Sequence, residues 1–154
     1  MKHTGYMQEA IAEAEKAYVI GEVPIGAVVV LNDEIIGRGH NLRETLKDST
    51  AHAEIVAMRE AAQRLGDWRL DGSTVYCTVE PCPMCAGAML QFRVKTLIYG
   101  TQDLKAGAVD SIIDVLREPR FNHQVAVASG VLEEECKEII QRFFRELREK
   151  KKGS

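Results

Sequence analysis

His52 and Glu54 stand two residues apart, and Cys82 and Cys85 three apart. Imidazole nitrogen and thiolate sulfur are donors that zinc favours, and a zinc held by three protein groups keeps a fourth position for water. His52, Cys82 and Cys85 meet that count. Glu54 is then free of ligation, and its carboxylate can move the protons of an activated water.

Each half of this set has a blander reading. Cys82-Pro83-Met84-Cys85 alone is one corner of a structural zinc site or a redox pair. The redox reading gains weight from position: 73–79 reads as a strand and 83–92 as a helix, and thioredoxin-like proteins place their pair between such elements. A lone His52 is more often an ordinary histidine than a ligand. Neither reading accounts for a His-x-Glu about thirty residues upstream at the start of a helix.

Spacing constrains the geometry. On a helix Cys82 and Cys85 share one face, about 60° apart around the axis. They open that helix, with Pro83 suited to its first turn, and unpaired amides there favour thiolate. His52 and Glu54 are harder to reconcile, since residues i and i+2 diverge by about 200° on an ideal helix. They reach one water only if the pair occupies the first turn or the carboxylate curls back. Ser49 or Thr50 is the expected cap, which agrees with the first-turn solution. The chemistry this set suits is hydrolysis by an activated water, with Glu54 acting as base toward the water and then as acid toward the leaving group.

The rest of the chain must position these groups. Its 154 residues suit a single domain, 1–154, with a substantial core. Hydrophobic content of 45% and charged content of 28% are ordinary for a globular protein. No apolar run is long enough to span a membrane, and Met1-Lys2-His3-Thr4-Gly5 lacks the apolar stretch of a secretory signal, so a cytoplasmic protein is expected. Cys77 and Cys136 are read as inert packing residues rather than a disulfide. The net charge of −3 does not mark a nucleic-acid binder, but residues 137–152 carry +4 and the remainder −7. A solvated helix face explains that asymmetry as well as a basic contact surface does.

Hydrophobic periodicity predicts helices over about 6–20, 50–65, 83–92, 111–117 and 132–150, and strands over 25–31, 35–41, 73–79, 96–99 and 125–128. Gly21 and Gly66 are expected helix stops, 42–49 a polar loop, and Lys150–Ser154 a frayed end. Strands alternating with helices after an opening hairpin imply a mostly parallel sheet with helices on both faces.

Longer segments resemble one family over nearly the whole chain. They are Gly-Glu-Val-Pro-Ile-Gly-Ala-Val at 21–28, His-Asn-Leu-Arg-Glu at 40–44, Thr-Ala-His-Ala-Glu at 50–54, Trp-Arg-Leu at 68–70, Thr-Val-Glu-Pro-Cys-Pro-Met-Cys-Ala-Gly-Ala at 78–88, Phe-Asn-His at 121–123 and Phe-Phe-Arg-Glu-Leu-Arg at 143–148. The chain resembles the bacterial tRNA adenosine deaminases of the cytidine and deoxycytidylate deaminase superfamily, whose zinc signature is H-x-E…P-C-x-x-C. The resemblance implies a three-layer α/β/α cytidine-deaminase-like fold around a five-stranded mixed sheet, one Zn²⁺ per subunit, and a homodimer. It implies adenosine-to-inosine conversion at position 34 of a tRNA(Arg) anticodon stem-loop. It assigns Asn41 to the purine, although turn satisfaction is an equally ordinary role for an asparagine, and makes Arg43, Asn122, His123 and the basic C-terminal helix contacts to the anticodon loop. Phe144 stacks on RNA or packs in the core. Ser49, Leu104 and Asp110 depart from the family's usual residues.

Three rivals stay open. The same fold could deaminate free guanine, cytosine or a nucleotide. A non-enzymatic zinc module binding RNA needs a fourth protein ligand, with His40 and His123 available. A thiol oxidoreductase needs Cys82 and Cys85 to cycle as a disulfide.

Overall fold

The computed structural model describes residues 2–153. Helix α1 (Lys2–Val19) buries Met7, Ala10, Ala14 and Ala17 at helical spacing. A hairpin follows, β1 (Gly26–Leu31) and β2 (Glu34–His40), turned by Asn32 and Asp33. Both turn residues have positive φ, 51° and 62°, which matches the twist of a two-residue hairpin loop. Then come α2 (Arg43–Leu46), α3 (Ala53–Leu65), β3 (Thr74–Val79), α4 (Pro83–Gln91), β4 (Thr96–Thr101), β5 (Ala126–Ser129) and α5 (Glu133–Lys152).

The five strands form one mixed sheet in the order β2-β1-β3-β4-β5. β1 pairs antiparallel with β2 and β3, while β3–β4 and β4–β5 are parallel. Four strands thus share one direction and β1 alone opposes them, so the pairings divide evenly between parallel and antiparallel. Alternation along the strands feeds two cores. Val28, Val30, Tyr76 and Ile98 meet Met7, Ala10 and Cys136 of α1 and α5. Ala27, Val29, Val75, Cys77, Leu97 and Tyr99 meet Ala53, Ala57, Met58, Ala86 and Met89 of α3 and α4. Burial on both faces is why β1 reads as an almost uninterrupted apolar run.

Four local expectations are corrected. No helix forms at 111–117, because the amides of Asp110 and Ser111 donate to the Glu80 carboxylate and that of Val115 to the Ala108 carbonyl, leaving no i→i−4 ladder. The polar loop 42–49 contains α2, whose Glu44 and Thr45 amides donate to Glu22. Neither Ser49 nor Thr50 caps α3; Thr50 turns its amide and hydroxyl to Asp48, and His52 is the N-cap. The expected frayed tail is helical through Lys152, and Ser154 lies outside the described residues. Gly66 ends α3 in the left-handed region, as expected.

α3 lies unusually close to β2. A Cβ on Gly39 would sit 2.5 Å from the Ala53 carbonyl oxygen and 2.6 Å from the Ala57 nitrogen, and one on Gly37 would collide with the Ala57 carbonyl. This approach seats the first turn of α3, with His52 and Glu54, over the sheet. Gly39→Ala is therefore expected to lower stability by about 1–3 kcal/mol through overpacking. Urea unfolding checks it, and a wild-type midpoint would show that α3 can retreat freely.

Candidate metal centre and active site

Two helix starts converge on one point. His52 caps α3 with extended backbone (φ −78°, ψ 154°), which puts Glu54 in the first turn. Cys82 caps α4 (φ −75°, ψ 173°), Pro83 begins it, and Cys85 lies in its first turn. The i,i+2 difficulty disappears because His52 precedes the helical backbone. β2 and β3 both run antiparallel to β1, so their C-terminal ends, which lead toward α3 and α4, lie at the same edge of the sheet and bring the two turns side by side.

His52 Nδ1 lies 3.6 Å from Cys82 Sγ and 3.5 Å from Cys85 Sγ. The three donor atoms all lie within 4.8 Å of one another. Zinc bonds of about 2.3 Å to sulfur and 2.0–2.1 Å to nitrogen, at a tetrahedral angle, separate S and N by about 3.5 Å. The donor set and its spacing therefore fit zinc. The Cys82 thiol is pulled down to about 4, chiefly by a hydrogen bond from Cys85 and also by His52, against its burial. Cys85, the donor in that bond and buried itself, is pushed up. The three groups share protons across short distances, and a divalent cation bound there displaces such protons.

Among the described residues no fourth protein donor joins this group. His40 Nδ1 is 3.2 Å from Glu13, and His123 Nε2 donates to the Val94 carbonyl at 2.8 Å. Glu54 is 4% exposed, and burial pushes its carboxyl up, a shift the nearby Cys82 reinforces. Cys77 is buried and pushed well up by desolvation, and Cys136 is buried and pushed to about 12, so neither is a ready nucleophile.

A cavity of about 230 Å³ opens beside the trio, lined by His52, Glu54, Cys82, Asn41, Arg43 and Glu80 with Val23, Ile25, Val79, Asp103 and Ala106. It is smaller than the usual ~300–1,000 Å³ of drug-sized sites and suits one flat ring. Asn41 is 7% exposed; its Oδ1 accepts from the Arg43 amide at 3.1 Å and its Nδ2 donates to the Val23 carbonyl at 3.3 Å. One N–H and one lone pair of its amide remain. It thus satisfies the turn and faces the cavity together. Asn122, His123 and Phe144 are not on the cavity wall; Phe144 packs edge-on to Phe143 with 37% exposure.

Two acids escape the sequence reading. Glu22, 2% exposed, accepts from the amides of Glu44 and Thr45 and from the Thr45 hydroxyl, and so holds the segment carrying Arg43. Glu80, 3% exposed, accepts from the amides of Asp103, Val109, Asp110 and Ser111. Burial alone would raise the Glu80 carboxyl, but the Ser111 hydroxyl and these amides outweigh it and hold it low. Their signal in the sequence is an acid set against apolar neighbours, in Gly21-Glu22-Val23-Pro24 and in Val79-Glu80-Pro81-Cys82.

Comparison with known proteins gives a consistent result. Residues 1–148 match the family of MafB19-like deaminases. The tRNA-specific adenosine deaminase of Bacillus subtilis (strain 168) is 57% identical over 149 residues, covering 97% of this chain and 92% of that protein. The protein of the same description from Haemophilus influenzae is 46% identical over 147 residues, covering 95% and 85%. A structure solved in a study of A-to-I editing by tRNA:A34 deaminases superposes with a TM-score of 0.85 at 46% identity, covering 88% of this chain and 99% of that one. A guanine deaminase from Nitrosomonas europaea, 19% identical over 91% of this chain and 83% of its own, shares the fold with a TM-score of 0.79.

Proposed function

Because the chain belongs to the MafB19-like deaminases and to the family of the tRNA-specific adenosine deaminases, we propose that it converts adenosine to inosine at the wobble position, A34, of the tRNA(Arg) anticodon. The observation that carries this reading is one cavity lined by His52 and Cys82 of the donor trio, the buried Glu54 and the half-satisfied Asn41, with Cys85 completing the trio behind the wall.

His52, Cys82 and Cys85 are the residues that would hold Zn²⁺. When bound, zinc supplies Lewis acidity that can lower the pKa of water from ~15.7 toward ~7. Glu54, buried beside the donor groups, takes a proton from the attacking water and returns protons to the purine ring nitrogen and the leaving amine. The remaining N–H and lone pair of Asn41 orient the purine. The apolar side chains of Val23, Ile25 and Val79 exclude bulk water from the ring. A wobble base lies in a single-stranded loop, so turning it out of its stack is cheap.

Arg43 on the cavity wall, and Asn122, His123, Phe144 and the basic end of α5 outside it, are proposed contacts to the anticodon stem-loop. Phosphate neutralisation by such cations dominates affinity for RNA. The protein is proposed to act as a homodimer in the cytoplasm; among the described residues no helix is long and apolar enough to cross a membrane.

The test is direct. The zinc-loaded protein is incubated with an anticodon stem-loop of tRNA(Arg), and separately with free adenine, guanine and cytosine, and inosine and ammonia are measured. Turnover of the stem-loop with none on the free bases is expected. The opposite pattern would assign the site to a free base.

A further inference from the structure

We infer that Glu80 is a positioning residue of the proposed reaction: its carboxylate fixes the loop 103–111 as one wall of the cavity and so sets how the ring lies against Glu54. The inference rests on the deaminase reading for the reaction it serves, but the wall itself is a matter of geometry.

The two oxygens of Glu80 divide the loop between them. Oε1 accepts from the Asp103 amide at 3.1 Å and from the Ser111 hydroxyl at 2.5 Å. Oε2 accepts from the amides of Val109, Asp110 and Ser111 at 3.1, 2.8 and 3.0 Å. Four backbone donors, from both ends of one loop, thus converge on this single carboxylate. The loop also closes on itself: Asp103 accepts from the amides of Lys105 and Ala106 through Oδ1, and from the Gly107 amide through its carbonyl. The Ala108 amide donates to the carbonyl of Pro81, next to Cys82. Gly107 lies so near that a Cβ there would collide with the Glu80 carboxylate. Glu80, Asp103 and Ala106 all line the cavity that holds His52 and Glu54. The outer end of the loop has a separate clamp, in which Arg117 binds Asp110, Asp114 and the Val109 carbonyl. Any acid of the right reach could satisfy loop amides. This one does so from inside the substrate cavity.

Glu80→Gln separates the two halves. A side-chain amide accepts through one oxygen only. With that oxygen on the Val109–Ser111 side, the NH₂ faces the Asp103 N–H, donor against donor, while the Ser111 hydroxyl can rotate to accept. The substitution therefore frees the Asp103 end of the wall and spares the other.

The zinc-loaded wild type, Glu80→Gln and Arg117→Ala are compared by amide hydrogen exchange, melting and steady-state kinetics on the stem-loop. In Glu80→Gln the Asp103 amide should exchange at least tenfold faster while Val109–Ser111 stay protected. Zinc content should remain near wild type, and the melting midpoint should fall by a few degrees as the bonds that favour the Glu80 carboxylate are partly lost, with the protein still folded at the assay temperature. Its kcat should fall about ten- to hundredfold, as small misplacements of a reacting group do. KM should stay within about threefold, because phosphate contacts outside the cavity supply affinity. Arg117→Ala should keep kcat within about threefold, since it loosens only the outer end of the loop. Three results overturn the inference: an unchanged Asp103 exchange rate, a wild-type kcat despite a freed Asp103 amide, or a kcat loss equal to that of Arg117→Ala. Failure of the deaminase reading looks different. It appears as no turnover in the wild type, and then Glu80 has no reaction to position.

Discussion

Glu54→Gln is expected to bind a full equivalent of zinc, melt at or above the wild-type temperature, and lose about 10²–10⁴-fold in kcat, the range over which a positioned proton-transfer group contributes. Each part has a separate cause. Zinc is retained because the donors are His52 Nδ1 and the two sulfurs, and glutamine at 54 can still accept the hydrogen bond that Cys85 gives the carboxyl. Stability is retained or gained because the Glu54 carboxyl is 4% exposed and burial disfavours its charged form. Replacing it with a neutral isostere removes a desolvation cost that the folded state bears. Activity is lost because an amide cannot take the water's proton and pass it on to the ring and the amine. The gain in stability together with loss of turnover is the pattern of a group kept for function at the expense of folding. Zinc analysis, melting curves and ammonia release on the stem-loop read the three parts. Turnover near wild type would remove Glu54 from the proton path and leave the carboxylate as a packing residue.

Much of this was legible in the sequence because the site is built from local elements. His52, Cys82 and Cys85 each stand at a helix start, and helix starts are marked by Pro83, by apolar periodicity and by the stops before them. The i,i+2 conflict of His52 and Glu54 asked for a first-turn position or a curled-back carboxylate, and the structure sets His52 at the N-cap with Glu54 in the first turn. What was not legible depends on long-range bonds. Glu22 and Glu80 are ordinary acids until the fold brings amides more than twenty residues away onto their oxygens. That same capture abolished the helix expected over 111–117, whose apolar spacing was sound but whose amides were already engaged. Asn41 shows a third case: its amide satisfies the turn yet keeps one N–H and one lone pair on the cavity wall, so the turn role leaves room for the proposed purine contact.

Cys85→Ala is expected to abolish detectable activity and tight zinc binding together while leaving the fold in place. Two donors remain, His52 and Cys82, and a site of two cannot hold zinc in the closed tetrahedral frame that three plus water provide. The fold survives because the sheet is covered on both faces by apolar cores that extend well beyond the site. The melting point should fall, since any ligand that binds only the native state stabilises it, by about 4 kcal/mol when present at a thousand times its dissociation constant. A chelator should reproduce that fall in the wild type and do nothing further to Cys85→Ala. Cys136→Ala provides the control for losing a buried sulfur. It packs against Gly100 on the opposite face of the sheet, so it should cost about 1 kcal/mol of packing yet keep both zinc and turnover. Equal chelator sensitivity in Cys85→Ala and Cys136→Ala would mean that the metal is held elsewhere, and His52, Cys82 and Cys85 would then be a packed polar cluster rather than a centre.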